Sequence, residues 1–137
     1  MKPKIKVVGL EQMRKNVGKM IEALDREALV PIMREHMEPM ADDMRSHAPR
    51  DTGALAKSIT VSTQLSPAQA AANVPIAEVE VYAGPGPVPQ AIQEEFGNFR
   101  QRPRPIIRPT FDANHKTARR KIGEDGIAVI LDAAKKG

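Results

Sequence analysis

The sequence predicts an α+β fold, with a small, mainly antiparallel sheet packed against two to four helices in a single domain spanning 1–137. Three observations predict it. Apolar residues recur at helical spacing from Leu10 to Met44. The period drops from 3.6 to 2 near Ser58, and a second alternating run occupies 78–84. Beyond Phe111 the helical pattern returns.

Residues 4–8 alternate briefly and suit an edge strand whose lysines discourage unwanted pairing, with Gly9 ending it. Leu10, Met13, Val17, Met20, Ile21 and Leu24 then mark an amphipathic helix of about four turns. Asp25 is one candidate interruption. Pro31 fits best in a first helical turn and favours a break near Leu29 or Val30 instead. Met33, Met37, Met40 and Met44 form a stripe ending near His47, with Pro39 expected to kink it. Such a stripe is either an adaptable binding surface or a helix face packed on the sheet, and the packed face is the better reading.

Pro49 disfavours the α conformation at Ala48, so the helix is expected to end at about His47. Asp51 or Thr52 can cap a short turn, and Gly53 tolerates the dihedrals a corner requires. A strand over 58–65 puts Ile59, Val61 and Leu65 on one face. Flexible loops are expected at about 65–78 and 84–89, around the strand 78–84. A short helix over Pro89–Phe96 follows, ended by Gly97, with Ala91, Ile92 and Phe96 as its buried face. Residues 105–108 are a possible further strand. A helix from Phe111 to about Ala134 carries Ala118, Ile122 and Val129 in register, with Gly123 and Gly126 weakening its middle and 133–137 frayed.

Composition narrows the function. There is no cysteine, hence no disulfide and no thiolate metal site. Three Phe, one Tyr and no Trp imply an aliphatic, Met-rich core and almost no platform for stacking bases. The net charge of +4 permits a polyanionic partner without demanding one. No run approaches the roughly 18 apolar residues of a membrane-spanning helix. Nor does an apolar stretch of signal-peptide length follow the N-terminal lysines, so the chain is expected to stay where it is made.

Catalytic constellations are lacking. Asp51-Thr52-Gly53-Ala54 matches the aspartic-protease triplet, but in those enzymes the triplet follows an apolar strand, and here it follows a polar helix end. His36 and His47 would lie about 16 Å apart along a straight helix, too far to share a metal. Adjacent Glu94 and Glu95 splay on a helix and do not make an acid/base pair. No phosphate-loop or dinucleotide pattern occurs. No enzyme, cofactor or metal site is expected.

Arg100, Arg102, Arg104 and Arg108 form a basic strap interrupted by Pro103, Pro105 and Pro109. An extended strap does not read a DNA groove as a helix does. Arginine forks pair well with carboxylates across subunit interfaces, and Asp42, Asp43, Glu94 and Glu95 are candidate partners. A solvated charge run and a small basic DNA-binding protein are the competing readings.

Three stretches occur together in order: Ala48-Pro49-Arg50-Asp51-Thr52-Gly53-Ala54-Leu55-Ala56-Lys57-Ser58-Ile59, then Glu95-Phe96-Gly97-Asn98, then Pro105-Ile106-Ile107-Arg108-Pro109. They resemble the tail-completion or head–tail joining proteins (minor tail components) of long-tailed phages and prophages. That family's pattern runs A-P-x-D-T-G-x-L-x-x-S-I, then E-x-G-T, then P-x-x-R-P into a final helix. Asn98 stands where the family usually has Thr.

The resemblance implies a non-enzymatic virion protein of the tail or neck, assembled in the host bacterial cytoplasm. It implies a homo-oligomeric ring, commonly hexameric, that completes or terminates the tail tube. Its partners would be the tail tube protein and the head–tail connector or stopper, with DNA passing through the channel without sequence-specific binding and no membrane involved. Carried onto this chain, the motif residues are the corner Asp51, Thr52, Gly53, Leu55 and Ser58 and the turn Glu95, Phe96 and Gly97. The strap Arg100, Arg102, Arg104, Pro105, Arg108 and Pro109 is the candidate subunit interface.

Overall fold

The computed structural model describes residues 8–136, and in it Asp25 decides where the first helical stretch divides. Helix α1 covers Leu10–Ala23, and Asp25 then caps α2 (Arg26–His47), its Oδ1 accepting from the Ala28 amide at 2.9 Å. The expected break near Leu29 is not found, because α2 runs through both Pro31 and Pro39. Both prolines are exposed, so their rings lie on the solvent side of the helix. The helix ends at His47, as Pro49 predicts.

After the corner come α3 (Ala54–Ser58), β1 (Thr60–Ser62), α4 (Pro67–Ala72) and β2 (Tyr82–Gly84). Helices α5 (Pro89–Phe96) and α6 (Ile107–Lys135) complete the chain. The fold is α+β with six helices among the described residues, more than the sequence pattern suggested. Its sheet is the antiparallel pair β1–β2, with Val61 opposite Ala83.

Both strands are shorter than their alternating patterns. Ser58 closes α3, so β1 begins only at Thr60. Upstream of β2, the Glu80 carboxylate accepts from the Ile76 and Ala77 amides at 2.7 and 3.2 Å, which bends 76–80 away from the ladder. Tyr82 donates its hydroxyl proton to Glu80. Residues 105–108 make no strand, since α6 starts at Ile107. Of the strand expected at 4–8, only Val8 lies among the described residues, and it is not in a strand.

The stretch read as a loop at 65–78 contains α4. Ser66 and Gln69 make a reciprocal capping box there, and Pro67 sits in its first turn. Helix α6 is unbroken through Gly123 and Gly126, and it stays helical to Lys135 where fraying was expected.

The core is aliphatic and methionine-rich. Met40, Ala41, Met44, Leu55, Ile59 and Val61 are its centre, and Met33 and Met37 pack against its edge. The methionine stripe is therefore a packed helix face. Helices α2 and α6 lie antiparallel across this core, because His36 meets Asp125 while Asp43 accepts from Asn114. Leu55 is fully buried. Leu55→Ala should cost about 2–5 kcal/mol, read as a lower denaturant midpoint at unchanged slope. Ile127→Ala, at an exposed position, should change the stability of the monomer by less than about 0.5 kcal/mol.

Candidate functional site

The corner motif forms around a left-handed glycine. Gly53 has φ 71°, and the Thr52 hydroxyl accepts from the Ala54 amide at 3.2 Å, the local capping expected of Asp51 or Thr52. Ser58 donates to the Leu55 carbonyl at 2.7 Å and closes α3. Arg45 locks the corner to α2. Its Nε and Nη2 donate to the Ile59 carbonyl at 3.0 and 2.8 Å, while Nη1 reaches Glu38 and Asp42. Hydrogen bonding to Glu38 raises the guanidinium pKa above its ordinary value; burial opposes this, and Asp42 adds to it. Asp51 is exposed, and no second carboxylate is hydrogen-bonded to it among the described residues.

The second motif and the strap form one unit with α5 and α6. Gly97 has φ 73°, and a Cβ there would lie 2.8 Å from Pro103 and 2.9 Å from the Gln101 carbonyl. Only glycine fits that turn. Asn98 and Gln101 then pair as an isolated antiparallel bridge. The Arg104 amide donates to the Glu94 carbonyl at 2.7 Å, which folds the strap back along α5.

Glu95 then starts α6. Its Oε2 accepts from the Ile106 and Ile107 amides at 2.9 and 3.0 Å, and its Oε1 from the Arg108 amide at 3.1 Å. A helix leaves its first four N–H groups without internal partners. Here three are bound by one carboxylate, and the fourth position is Pro109, which has no N–H. Burial would raise the Glu95 pKa, but the amides of Ile107, Arg108 and Ile106 and the Arg108 charge outweigh it and hold the carboxyl below its ordinary range. This cap lets α6 begin at Ile107 rather than Phe111.

All four carboxylates expected to pair across an interface are engaged within the chain. Asp42 binds Arg45, Asp43 binds His47 and Asn114, Glu95 binds backbone, and Glu94 accepts from Arg104 Nη2 at 3.0 Å. Glu94 is 3% exposed, and its Oε2 has no partner among the described residues. Arg104 is thus a structural ion pair. The guanidinium groups of Arg100, Arg102 and Arg108 form no ion pair among the described residues, and that of Arg100 lies 5.0 Å from the Phe99 ring centre.

A further cluster escaped sequence reasoning because it joins distant segments. Glu35, His36 and Asp125 bring three possible ligand atoms within 4.8 Å of one another. His36 and Asp125 already satisfy each other directly. Glu35 and His36 are neighbours on α2, diverging by about 100°, so the cluster is a tie between α2 and α6.

An open concave surface lies between α4, α5 and the first turns of α6. This groove of about 950 Å³ is lined by Ala68, Val88, Ile92, Phe96, Ile107 and Phe111, among others. It corrects the expected packing of α5, where Ala91 is buried but Ile92 and Phe96 are 66% and 75% exposed. The buried place on that helix belongs to Glu94. Phe111 is half exposed and stacks on His115. A second apolar surface lies on α1, where Leu10, Met13, Val17 and Ile21 are all exposed.

A family model described as "Bacteriophage HK97-gp10, putative tail-component" matches residues 11–86, more than half of the chain. The chain belongs to this HK97-gp10-like family. Membership indicates a structural role as a tail component of the virion. No curated protein and no solved structure matches the chain. The HK97-gp10-like match takes in α1, α2, the corner from Asp51 to Ser58, and the sheet, and it ends at Gly86. The Glu95 turn, the strap and most of the groove lie beyond it.

Because the folded Glu95 pKa is lowered, its stabilisation is present above the unfolded carboxyl value and is lost as pH falls through the folded one. Glu95→Gln should therefore cost about 1–2 kcal/mol at neutral pH, with the gap to wild type closing in acid. A pH series of thermal melts checks both the size and the sign.

Proposed function

We propose that this tail component is a ring-forming protein of the head–tail junction. It completes or terminates the tail tube and joins it to the head connector, leaving a channel for DNA. The rings, commonly of six copies in such proteins, would assemble in the host cytoplasm before or upon tail binding. Family membership supports the structural role, and the exposed apolar surface supports assembly. The monomer leaves Ile92 and Phe96 on α5 and Leu10, Met13 and Ile21 on α1 mostly exposed, two clustered apolar surfaces of the kind that mark interaction sites. That exposure is the observation that carries the proposal.

The corner residues Asp51, Thr52, Gly53, Leu55 and Ser58, and the turn Glu95 and Gly97, act as framework in this reading. Arg100, Arg102 and Arg108 are the strap residues free to meet a neighbour or the DNA. A basic DNA-binding protein is the second reading, favoured by those unpaired guanidinium groups. In a channel they would hold phosphates loosely, without reading bases.

Light scattering on a sizing column, with negative-stain images of the peak, should show closed rings for the free protein or for protein added to purified tail tubes. Monomers in both settings would overturn the ring. If the strap lies at the subunit contact, replacing Arg100, Arg102 and Arg108 together with alanine should give folded monomers. DNA affinity that collapses as salt rises from about 50 to 200 mM would instead mark the strap as a phosphate contact.

A further inference from the structure

The two exposed apolar surfaces have complementary shapes. On α1, Leu10, Met13, Val17 and Ile21 follow one another at helical spacing and form a convex ridge about 16 Å long. The α4–α5–α6 groove is concave, and Ile92, Phe96 and Phe111 expose their side chains into it. An amphipathic helix laid in an apolar groove is a recurrent mode of recognition, read through anchors at this spacing. In its own chain α1 packs against α6 through other positions, with Met20, Ala23 and Leu24 half buried, and the ridge stays uncovered.

Charge sets a register for the pair. Glu11 and Arg14 flank the ridge on one side, three residues apart, or about 4.5 Å of helix rise. Arg108 and Asp112 stand at the groove, four residues apart on α6, or about 6 Å. None of the four forms an ion pair among the described residues. With α1 running parallel to the start of α6, Glu11 faces Arg108 while Arg14 faces Asp112. The area is also adequate. The ridge exposes on the order of 400 Å² of side chain. With the usual polar share of an interface, that approaches the roughly 800 Å² per partner of a stable contact.

We infer that helix α1 of one copy docks in the α4–α5–α6 groove of the next, with Val17 at the centre of the contact. The proposal rests on the ring reading, and it names the two surfaces that such a ring joins. The contact is head-to-tail, since ridge and groove are different parts of the same chain. It therefore repeats from copy to copy and closes where the rotation allows.

The absence of cysteine makes the test clean. Arg14→Cys and Asp112→Cys are prepared separately, mixed, and treated with a short bis-maleimide. This is done where scattering shows assembly, or on tail tubes if the free protein is monomeric. A covalent dimer in the mixture, and in neither variant alone, is the expected result. The protein carrying both substitutions should give a ladder ending at the ring number. Closed rings without the mixed product overturn the contact and leave the ring reading standing. The mixed product from a protein that never closes keeps the contact and removes the ring. Cross-linking of Arg14→Cys to itself overturns the proposal in favour of ridge-on-ridge packing. Independently, Val17→Asp should keep the fold and weaken assembly by at least about tenfold; unchanged assembly would overturn the inference.

Discussion

One carboxylate controls the geometry of the C-terminal half. Glu95 binds three successive amides at the head of α6, and Pro109 removes the need for a fourth acceptor. The direction of the chain after the strap is therefore set by a side chain on α5, eleven residues before the first amide it holds. Gly97 makes the arrangement possible, because no other residue tolerates both its φ and the 2.8 Å approach of Pro103. Glu94 adds the second restraint through Arg104. Since α6 is the element on which α1 and α2 pack, the placement of both depends on this joint.

The corner follows the same logic on a smaller scale. Arg45 collects one backbone carbonyl and two carboxylates, and so ties the last turns of α2 to the start of the sheet. It is 31% exposed at the side chain, which leaves its ion pairs partly screened. The bond to the Ile59 carbonyl does the positioning, because that group would otherwise lie beside the core without a partner.

Much of this was legible in the sequence wherever the signal was local. The end of α2 before Pro49, the left-handed Gly53, the buried methionine stripe, and α5 with its glycine stop all follow from neighbours in the chain. The capping box Ser66–Gln69 was equally local, but it was masked by the small and proline-bounded composition around it. What was not legible was non-local. The early start of α6 depends on Glu95, the burial of Glu94 depends on the fold-back of Arg104, and Asp125 meets His36 only in the folded chain. The exposure of Ile92 and Phe96 is a different failure. Periodicity marks an apolar face and says nothing about whether this chain or another covers it. The family match likewise bears on the half of the chain that holds the corner, and the groove lies mostly outside it.

Gly123 and Gly126 stand near the middle of a helix about 43 Å long. Each costs about 1 kcal/mol of helix stability relative to alanine, and nothing lies within 4 Å of where their side chains would be. The rod is therefore softest at the turn that carries Asp125, which stands between the two glycines and meets His36 of α2. The contact with His36 and the burial of Gly126 hold that turn against α2, so the neighbouring helix splints the stretch that the glycines weaken.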